Sequence, residues 1–446
     1  MNTIGTVLKD LREQNGLQLQ QVHKKTKINL TLLSRIENGK RMPTKEQVLK
    51  LVKQYKCDKK DVMVHWISDK VVYDVQEEEY GIEALQLAEE KILYGQQNNG
   101  SLFPTTQVDK PINLESRRYI GSKAKLTNWI LDTIKSETNN SKTFLDIFAG
   151  TASVAKAAFN HYDTVIVNDT LIANNFIYKA FFQTGKWNRE KLEIILNNYN
   201  QINPNEISEN YFSKNFGDKF FEHKISKIIG HIRQDIEDRK DELTEKEYSI
   251  LMATLIYNID KVANTVGHYD AYIKKPIKIQ NLRLRLIEPN DFTGIKIYKQ
   301  NANELARKIK ADIVYIDPPY NSRQYSRFYH LYETLVKWDK PQLHGVALKP
   351  VADNMSVYCT VGAKNAFKDL VDNLDVKYFA VSYNNTYNSK SHSSENKIKL
   401  EEIEYILNQR GKTKVFECSH RFFNTGKTEF DDHKELLFIT KVNDKA

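Results

Sequence analysis

The run Asp317-Pro318-Pro319-Tyr320 closes the apolar stretch Ala311–Ile316. It joins an acid, two rigid prolines and an aromatic at the end of what reads as a buried strand. Ligands in open α/β sheets bind outside the carboxyl ends of the strands. The proline rings fix the backbone, so the Pro318 carbonyl is aimed rather than mobile. A carboxylate and a fixed carbonyl are two acceptors, suited to the two N–H groups of one exocyclic amino group. Tyr320 adds a face on which a flat heterocycle can stack. Alone, the run also suits an ordinary strand-ending turn, because Asp-Pro is common in turns.

Three other peptides accompany it. Phe144-Leu-Asp-Ile-Phe-Ala-Gly-Thr-Ala-Ser-Val154 reads as a strand, a glycine-bearing turn and a helix start. Gly150 permits close backbone approach to a ligand. A single glycine is not a dinucleotide fingerprint of the G-x-G-x-x-G kind. Val165-Ile-Val-Asn-Asp169 ends the next strand on an acid, 23 positions after Asp146. An acid ~20 residues on commonly binds ribose hydroxyls, with a helix N-cap as the plainer role. Arg117-Arg-Tyr-Ile-Gly-Ser-Lys-Ala-Lys-Leu126 is a basic lead-in to an amphipathic helix through Trp129 and Ile130.

These peptides need a sheet to position them. Short apolar runs read as buried parallel strands at Phe144–Phe148, Val165–Val167, Ile295–Tyr298, Ile313–Ile316, Tyr378–Val381, Val415–Phe416 and Leu436–Ile439. Helical patterns between several of them predict an α/β doubly wound sheet. The second and third runs are separated by a long, mostly helical stretch rich in Asn, Lys, Glu and Tyr. That is too long for a normal connection and is expected to be an insert.

The chain has 446 residues and a formal charge of +9. Residues 1–70 carry 15 Lys and Arg against 7 Asp and Glu, so nearly all of the excess is N-terminal. Apolar spacing there predicts four short helices, broken at Asn15-Gly16, Asn38-Gly39 and Pro43-Thr44. Two such helices joined by a short turn are the minimum unit for reading a major groove. Asn29, Thr31, Ser34 and Arg35 fall on the second, where Arg35 suits guanine and Asn29 adenine. Lys40 and Arg41 follow, placed to hold phosphate. Residues 77–95 read as a further helix, and the polar stretch Gln96–Ser101 with nearby prolines as a linker. No apolar run is long enough for a membrane helix, and Met1–Leu8 lacks a signal-peptide pattern. Cys57, Cys359 and Cys418 are isolated, which argues against disulfides or a zinc site, and the expected location is cytoplasmic.

Leu11, the Gly16-Leu17 start and Ser34-Arg-Ile-Glu-Asn-Gly-Lys-Arg-Met-Pro43 resemble the repressor-type (XRE or Cro/CI-like) helix-turn-helix family over roughly residues 4–65. Leu19 stands where that family usually has Gln, His23 where it has a small residue, and Lys27 where it has the turn glycine. The resemblance implies binding to a palindromic site as a dimer. Residues 115–442 resemble the D12-class, α-group adenine-specific DNA methyltransferases. Arg-Tyr-Ile-Gly-Ser-Lys matches the motif before the first strand, Phe144–Val154 the cofactor loop, Asn168-Asp169 the ribose-binding acid and Asp317–Tyr320 the catalytic motif. Thr151-Ala152 departs from the pattern where a second loop glycine often sits.

That resemblance implies a Rossmann-like methyltransferase domain at 115–174 and 291–446, a target-recognition insert at 175–290, a helix and linker at 71–114 and a helix-turn-helix at 1–70. It implies S-adenosyl-L-methionine as cofactor, held by Tyr119, Gly121, Lys123, Asp146, Phe148, Gly150, Asp169, Asn301 and Asp317. Asp317, Pro318, Pro319 and Tyr320 would be catalytic, through base flipping and direct in-line attack of adenine N6, with no metal required. Arg323 and Arg327, just past them, are placed to grip double-stranded DNA. The expected setting is a restriction–modification system with a cognate endonuclease as functional partner and a helix-turn-helix that autoregulates transcription. The alternatives are a regulator with a cofactor-sensing, non-catalytic methylase domain and an N4-cytosine methyltransferase. No Pro precedes any cysteine, so the Pro-Cys nucleophile of C5-cytosine methylation is absent.

Overall fold

The computed structural model describes residues 3–55, 57–75, 111–274, 277, 281–385, 396–419 and 434–443. The helix expected at 77–95 and the linker at Gln96–Ser101 lie outside the described residues. The chain divides into two compact units, Met1–Lys110 and Pro111–Ala446.

The first unit is helical: α1 Ile4–Gln14, α2 Leu19–Thr26, α3 Leu30–Glu37, α4 Lys45–Tyr55 and α5 Lys59–Val75. Ile4, Leu8, Val22, Leu33, Ile36, Val48 and Leu51 meet in one core. Arg12 on α1 forks onto Glu37 on α3, with both bonds at 2.8 Å, and donates to the Leu17 carbonyl at 2.9 Å. The α2–α3 turn passes through Lys27 at φ +61°, a left-handed conformation that costs a side chain about 1 kcal/mol and that glycine adopts freely. His23 Nδ1–H closes the turn by donating to the Ile28 carbonyl at 2.7 Å. Four of these helices follow the expected breaks; α5 was not anticipated. Its apolar residues circle the helix, with Val62 buried and Val64, Ile67 and Val71 exposed, so no single stripe marks it.

The second unit is built on seven strands: β1 Thr143–Asp146, β2 Thr164–Asn168, β3 Ile295–Tyr298, β4 Lys310–Ile316, β5 Asp375–Asn384, β6 Gly411–Ser419 and β7 Lys434–Val442. Their order is β3-β2-β1-β4-β5-β7-β6. The first five are parallel, and the order reverses at β1, which pairs with both β2 and β4. The seven runs were all read as buried parallel strands; β7 instead runs antiparallel to both neighbours. Apolar content reports burial and carries no strand direction. β6 and β3 are the two edges, and Val415 on β6 is exposed. The first run also stops short of Phe148, ending at Asp146.

Alternate residues face opposite sides. Phe144, Val165 and Tyr315 join a cluster with Ile177, Phe181 and Leu255, while Leu145, Ile166 and Val314 join one with Phe367, Leu370 and Ile403. The sheet is therefore covered on both faces. Helices α6 Thr127–Glu137, α7 Ser153–Ala158, α8 Ile172–Phe182 and α12 Glu245–Val262 all contribute to the first cluster. Between α8 and α12 lie α9 Arg189–Asn200, α10 Tyr211–Phe216 and α11 His223–Asp238. The long stretch between β2 and β3 thus shares its core with one face of the sheet. Among the described residues, no helix is long and apolar enough to cross a membrane.

Candidate active site

Strand β4 delivers Asp317–Tyr320 to the sheet edge beside the β1–α7 turn. A cavity of about 270 Å³ opens there. Tyr119, Gly121, Lys123, Asp146, Phe148, Gly150, Asp169, Asn301, Asp317, Pro318, Pro319 and Tyr320 all line it. Peptides far apart in the chain converge because β1, β2 and β4 are neighbours and end at one edge.

The glycine turn explains itself by sterics. Gly150 sits at φ +52°, and a Cβ there would meet the Tyr119 ring at 3.4 Å. Ala152, where a second glycine often sits, takes φ +56° and opens α7. Asp169 ties this turn to the next helix. One oxygen accepts Gly150 N–H at 3.0 Å and Asn174 Nδ2 at 2.9 Å, and the other accepts Leu171 N–H at 2.8 Å. Asp169 therefore organises the cavity wall and the start of α8 whatever else it binds. Asn301 is spent similarly, accepting Asn303 N–H at 2.9 Å at the start of the short helix α13 Ala302–Ala306.

Three carboxylates face this cavity, and burial raises the pKa of each. Asp146, 2% exposed, is pushed well up, first by burial and then by the charges of Asp317 and Asp169. Its Oδ1 has no partner. Asp169 is raised by burial, against the pull of its hydrogen bonds. Asp317 is raised by burial, opposed by Lys123 and reinforced by Glu435. A polar wall with an orphaned acceptor and surplus negative charge suits a cationic ligand with hydroxyl or ammonium donors.

Lys123 Nζ lies 3.0 Å from each Asp317 oxygen and 3.4 Å from Glu435. It also contacts the Tyr320 hydroxyl, which donates to Asp317 at 2.5 Å. The Tyr320 ring stands edge-on to Tyr383, with centroids 5.1 Å apart. Glu435 is the second residue of β7 and accepts from Ser382 Oγ at 2.6 Å. Glu435 and Ser382 were missed by sequence reasoning; a charged residue leading the apolar run Leu436–Ile439 was the available signal.

The segment after Asp317–Tyr320 packs more than it projects. Helix α14 Tyr325–Phe328 and helix α15 His330–Lys337 place Tyr325 and Tyr329 against Tyr119, with centroids at 5.4 and 4.5 Å. Arg327 donates to the Pro350 carbonyl at 2.8 Å. Arg323 and Arg327 are half-buried and do not line the cavity.

In the first unit, Asn29, Thr31, Arg35, Lys40 and Arg41 are exposed around α3, and Ser34 is half-buried. Asn29 caps α3, its Oδ1 accepting Thr31 N–H at 2.9 Å. A bidentate adenine contact needs that oxygen as well as Nδ2, so the cap competes with the reading assigned to Asn29.

Residues 119–398 match the family of D12 class N6 adenine-specific DNA methyltransferases, and residues 8–62 match a helix-turn-helix family. The type II methyltransferase M.NlaIII of Neisseria lactamica is 31% identical over 337 residues, covering 71% of this chain and 95% of its own length. The type II methyltransferase M.FokI of Planomicrobium okeanokoites is 32% identical over 360 residues, covering 73% of this chain and 52% of its own. Modification methylase StsI of Streptococcus sanguinis is 35% identical over 292 residues, covering 60% and 44%.

Proposed function

The chain belongs to the D12 class of N6 adenine-specific DNA methyltransferases and carries a helix-turn-helix, and on that premise we propose how its residues divide the work. The observation that carries the reading is Asp317–Tyr320 facing the same cavity as the Gly150 turn and the orphaned Asp146 oxygen.

The donor is S-adenosyl-L-methionine. Asp146 takes its ammonium or hydroxyl donors, the backbone around Gly150 allows close approach, and Phe148 and Tyr119 supply apolar wall. Gly121, Lys123, Asn301 and Asp169 complete that wall. When bound, S-adenosylmethionine supplies the sulfonium methyl that the amino nitrogen takes in line.

The target adenine leaves the duplex at a cost of about a few kcal/mol, and stacking on Tyr320 offsets part of it. Asp317 and the Pro318 carbonyl accept the two amino N–H groups. This favours a pyramidal nitrogen with an available lone pair, which the conjugated amino group otherwise lacks. Pro318 and Pro319 hold that geometry without mobile torsions, and positioning of this kind is worth roughly 7–11 kcal/mol in favourable cases.

Residues 1–70 bind duplex DNA through Thr31, Ser34, Arg35, Lys40 and Arg41, as a dimer on a palindromic operator in the enzyme's own promoter. Residues 71–114 are the connector, 175–290 reads the methylation site, and Arg323 and Arg327 steady the DNA near the catalytic edge. The type II names of the relatives support a restriction–modification setting for this chain, with a cognate endonuclease as functional partner. Its DNA substrate assigns it to the cytoplasm.

Transfer of radiolabelled methyl groups from S-adenosylmethionine to unmethylated plasmid tests this. Sequencing the modified bases in cells expressing the chain then gives base and site together. Label on adenine N6 is the expected result. Label on cytosine N4 overturns the target, and no label on any DNA favours the cofactor-sensing regulator.

A further inference from the structure

Asp317 meets two demands at once. In the structure both its oxygens lie 3.0 Å from the Lys123 ammonium, and one also accepts the Tyr320 hydroxyl at 2.5 Å. As the acceptor for an adenine amino group, it must free an oxygen lone pair. Lys123 is 7% exposed, so its ammonium is largely shielded from water and gains little hydration when it leaves Asp317. A buried ammonium without a counter-charge is costly enough to keep it in place.

A second carboxylate stands on the other side. Glu435 is 4% exposed and lies 3.4 Å from the same ammonium. It comes from β7, the strand that runs against its neighbours, and Ser382 on β5 orients it with a hydrogen bond at 2.6 Å. Two anions therefore share one cation, and only one of the anions sits in the catalytic run. We propose that Glu435 is a positioning residue for methyl transfer: it takes up the Lys123 ammonium when Asp317 turns to the target amino group. The inference rests on the methyltransferase reading above. It assigns Ser382 the task of keeping Glu435 turned toward Lys123. It also gives the reversed strand a use, since β7 is what brings a carboxylate to this edge.

The pH profile separates this from a carboxylate that merely offsets a buried lysine. Asp317 is faced by Lys123 from the segment before α6, Glu435 from β7, Tyr320 from its own turn, Tyr325 from α14, Tyr315 from β4 and Asp146 from β1. Among these, the Glu435 charge raises the Asp317 pKa. Removing that charge lets Asp317 ionise at lower pH, so the acid limb of the rate profile moves down.

The experiment uses the full chain, radiolabelled S-adenosylmethionine and unmethylated plasmid. In Glu435→Gln, kcat should fall about tenfold or more, because Lys123 then clings to its one remaining anion, while KM for the donor stays within about twofold. The acid limb should shift to lower pH, and Glu435→Asp should restore part of the rate. In a Lys123→Met background, Glu435→Gln should cost little more, since the two act through one contact. Unchanged kcat with an unmoved acid limb, or full additivity with Lys123→Met, overturns the proposal. Should Glu435→Gln fail to fold by thermal melting, Ser382→Ala takes its place. A smaller fall in the same direction supports the proposal, and an unchanged profile overturns it. A wild-type chain that transfers no methyl group overturns the donor reading itself, which distinguishes the two failures.

Discussion

The two units treat charge in opposite ways. In the helix-turn-helix unit the cations Lys40, Arg41 and Arg35 lie outside, and Arg12 and Glu37, the pair turned inward, satisfy each other in a fork. In the catalytic unit the critical charges lie inside. Asp146 keeps an orphaned oxygen, Lys123 is shared by two carboxylates, and all three cavity aspartates have raised pKa values. An exposed cation binds phosphate by releasing counterions, so it works through number and salt. A buried, incompletely paired charge acts on one atom of one ligand and is stored electrostatic preorganisation. The catalytic unit should therefore be sensitive to a single atom, and the helix-turn-helix unit to ionic strength.

The largest expected effect tests the separation directly. Asp317→Ala should lower methyl transfer ~10³-fold or more, because it removes the acceptor proposed for the amino group. Binding to promoter DNA, followed by fluorescence anisotropy, should stay at the wild-type level. Loss of both activities together would mean that the units do not act independently.

Next is the inward pair of the first unit. Arg12→Ala strands Glu37 in a buried site and should cost roughly 3–5 kcal/mol, enough to unfold a small helical unit. Thermal melts should show an early transition for this unit, and promoter binding should vanish while methyl transfer persists. A shift of under about 1 kcal/mol would place Arg12–Glu37 with ordinary surface pairs.

The third effect depends on pH. Glu333 on α15 is raised from 4.5 to about 7 by burial, although it accepts Ile172 and Ala173 N–H at the start of α8. The folded state holds its proton more tightly than the unfolded chain. Its contribution to stability is therefore present below pH ~4.5 and lost as pH rises through about 7. Glu333→Gln should flatten that part of the melting temperature–pH curve. An identical curve for both proteins would refute it.

The smallest effect belongs to the exposed cations. Lys40→Ala should weaken promoter binding evenly across sequences and reduce the slope of log affinity against log salt by about 1. Methyl transfer should not respond.

Much of this was legible in the chain because it is local. The strand–turn–helix order around Gly150, the acid ending β2 and the run after Ile316 are each read within a dozen residues. The twelve positions singled out around them line one cavity. Helix α5 was not legible, because its apolar residues circle the axis. Asn29 was assigned to a base without regard to the bare helix N-terminus it caps.

Local patterns in the sequence marked the peptides around Gly150, Asp169 and Asp317 as candidates, put them at strand ends, and confined the basic excess to residues 1–70. Periodicity and turn residues act over a few positions and leave their mark there. Tertiary structure alone decided that β7 runs backwards, that the helices from α8 to α12 share the core of the sheet, and that Glu435 reaches Lys123 beside Asp317. Those outcomes depend on contacts between segments that are not neighbours in the chain, and no local pattern encodes a strand's direction or the neighbour that a residue near its start will meet.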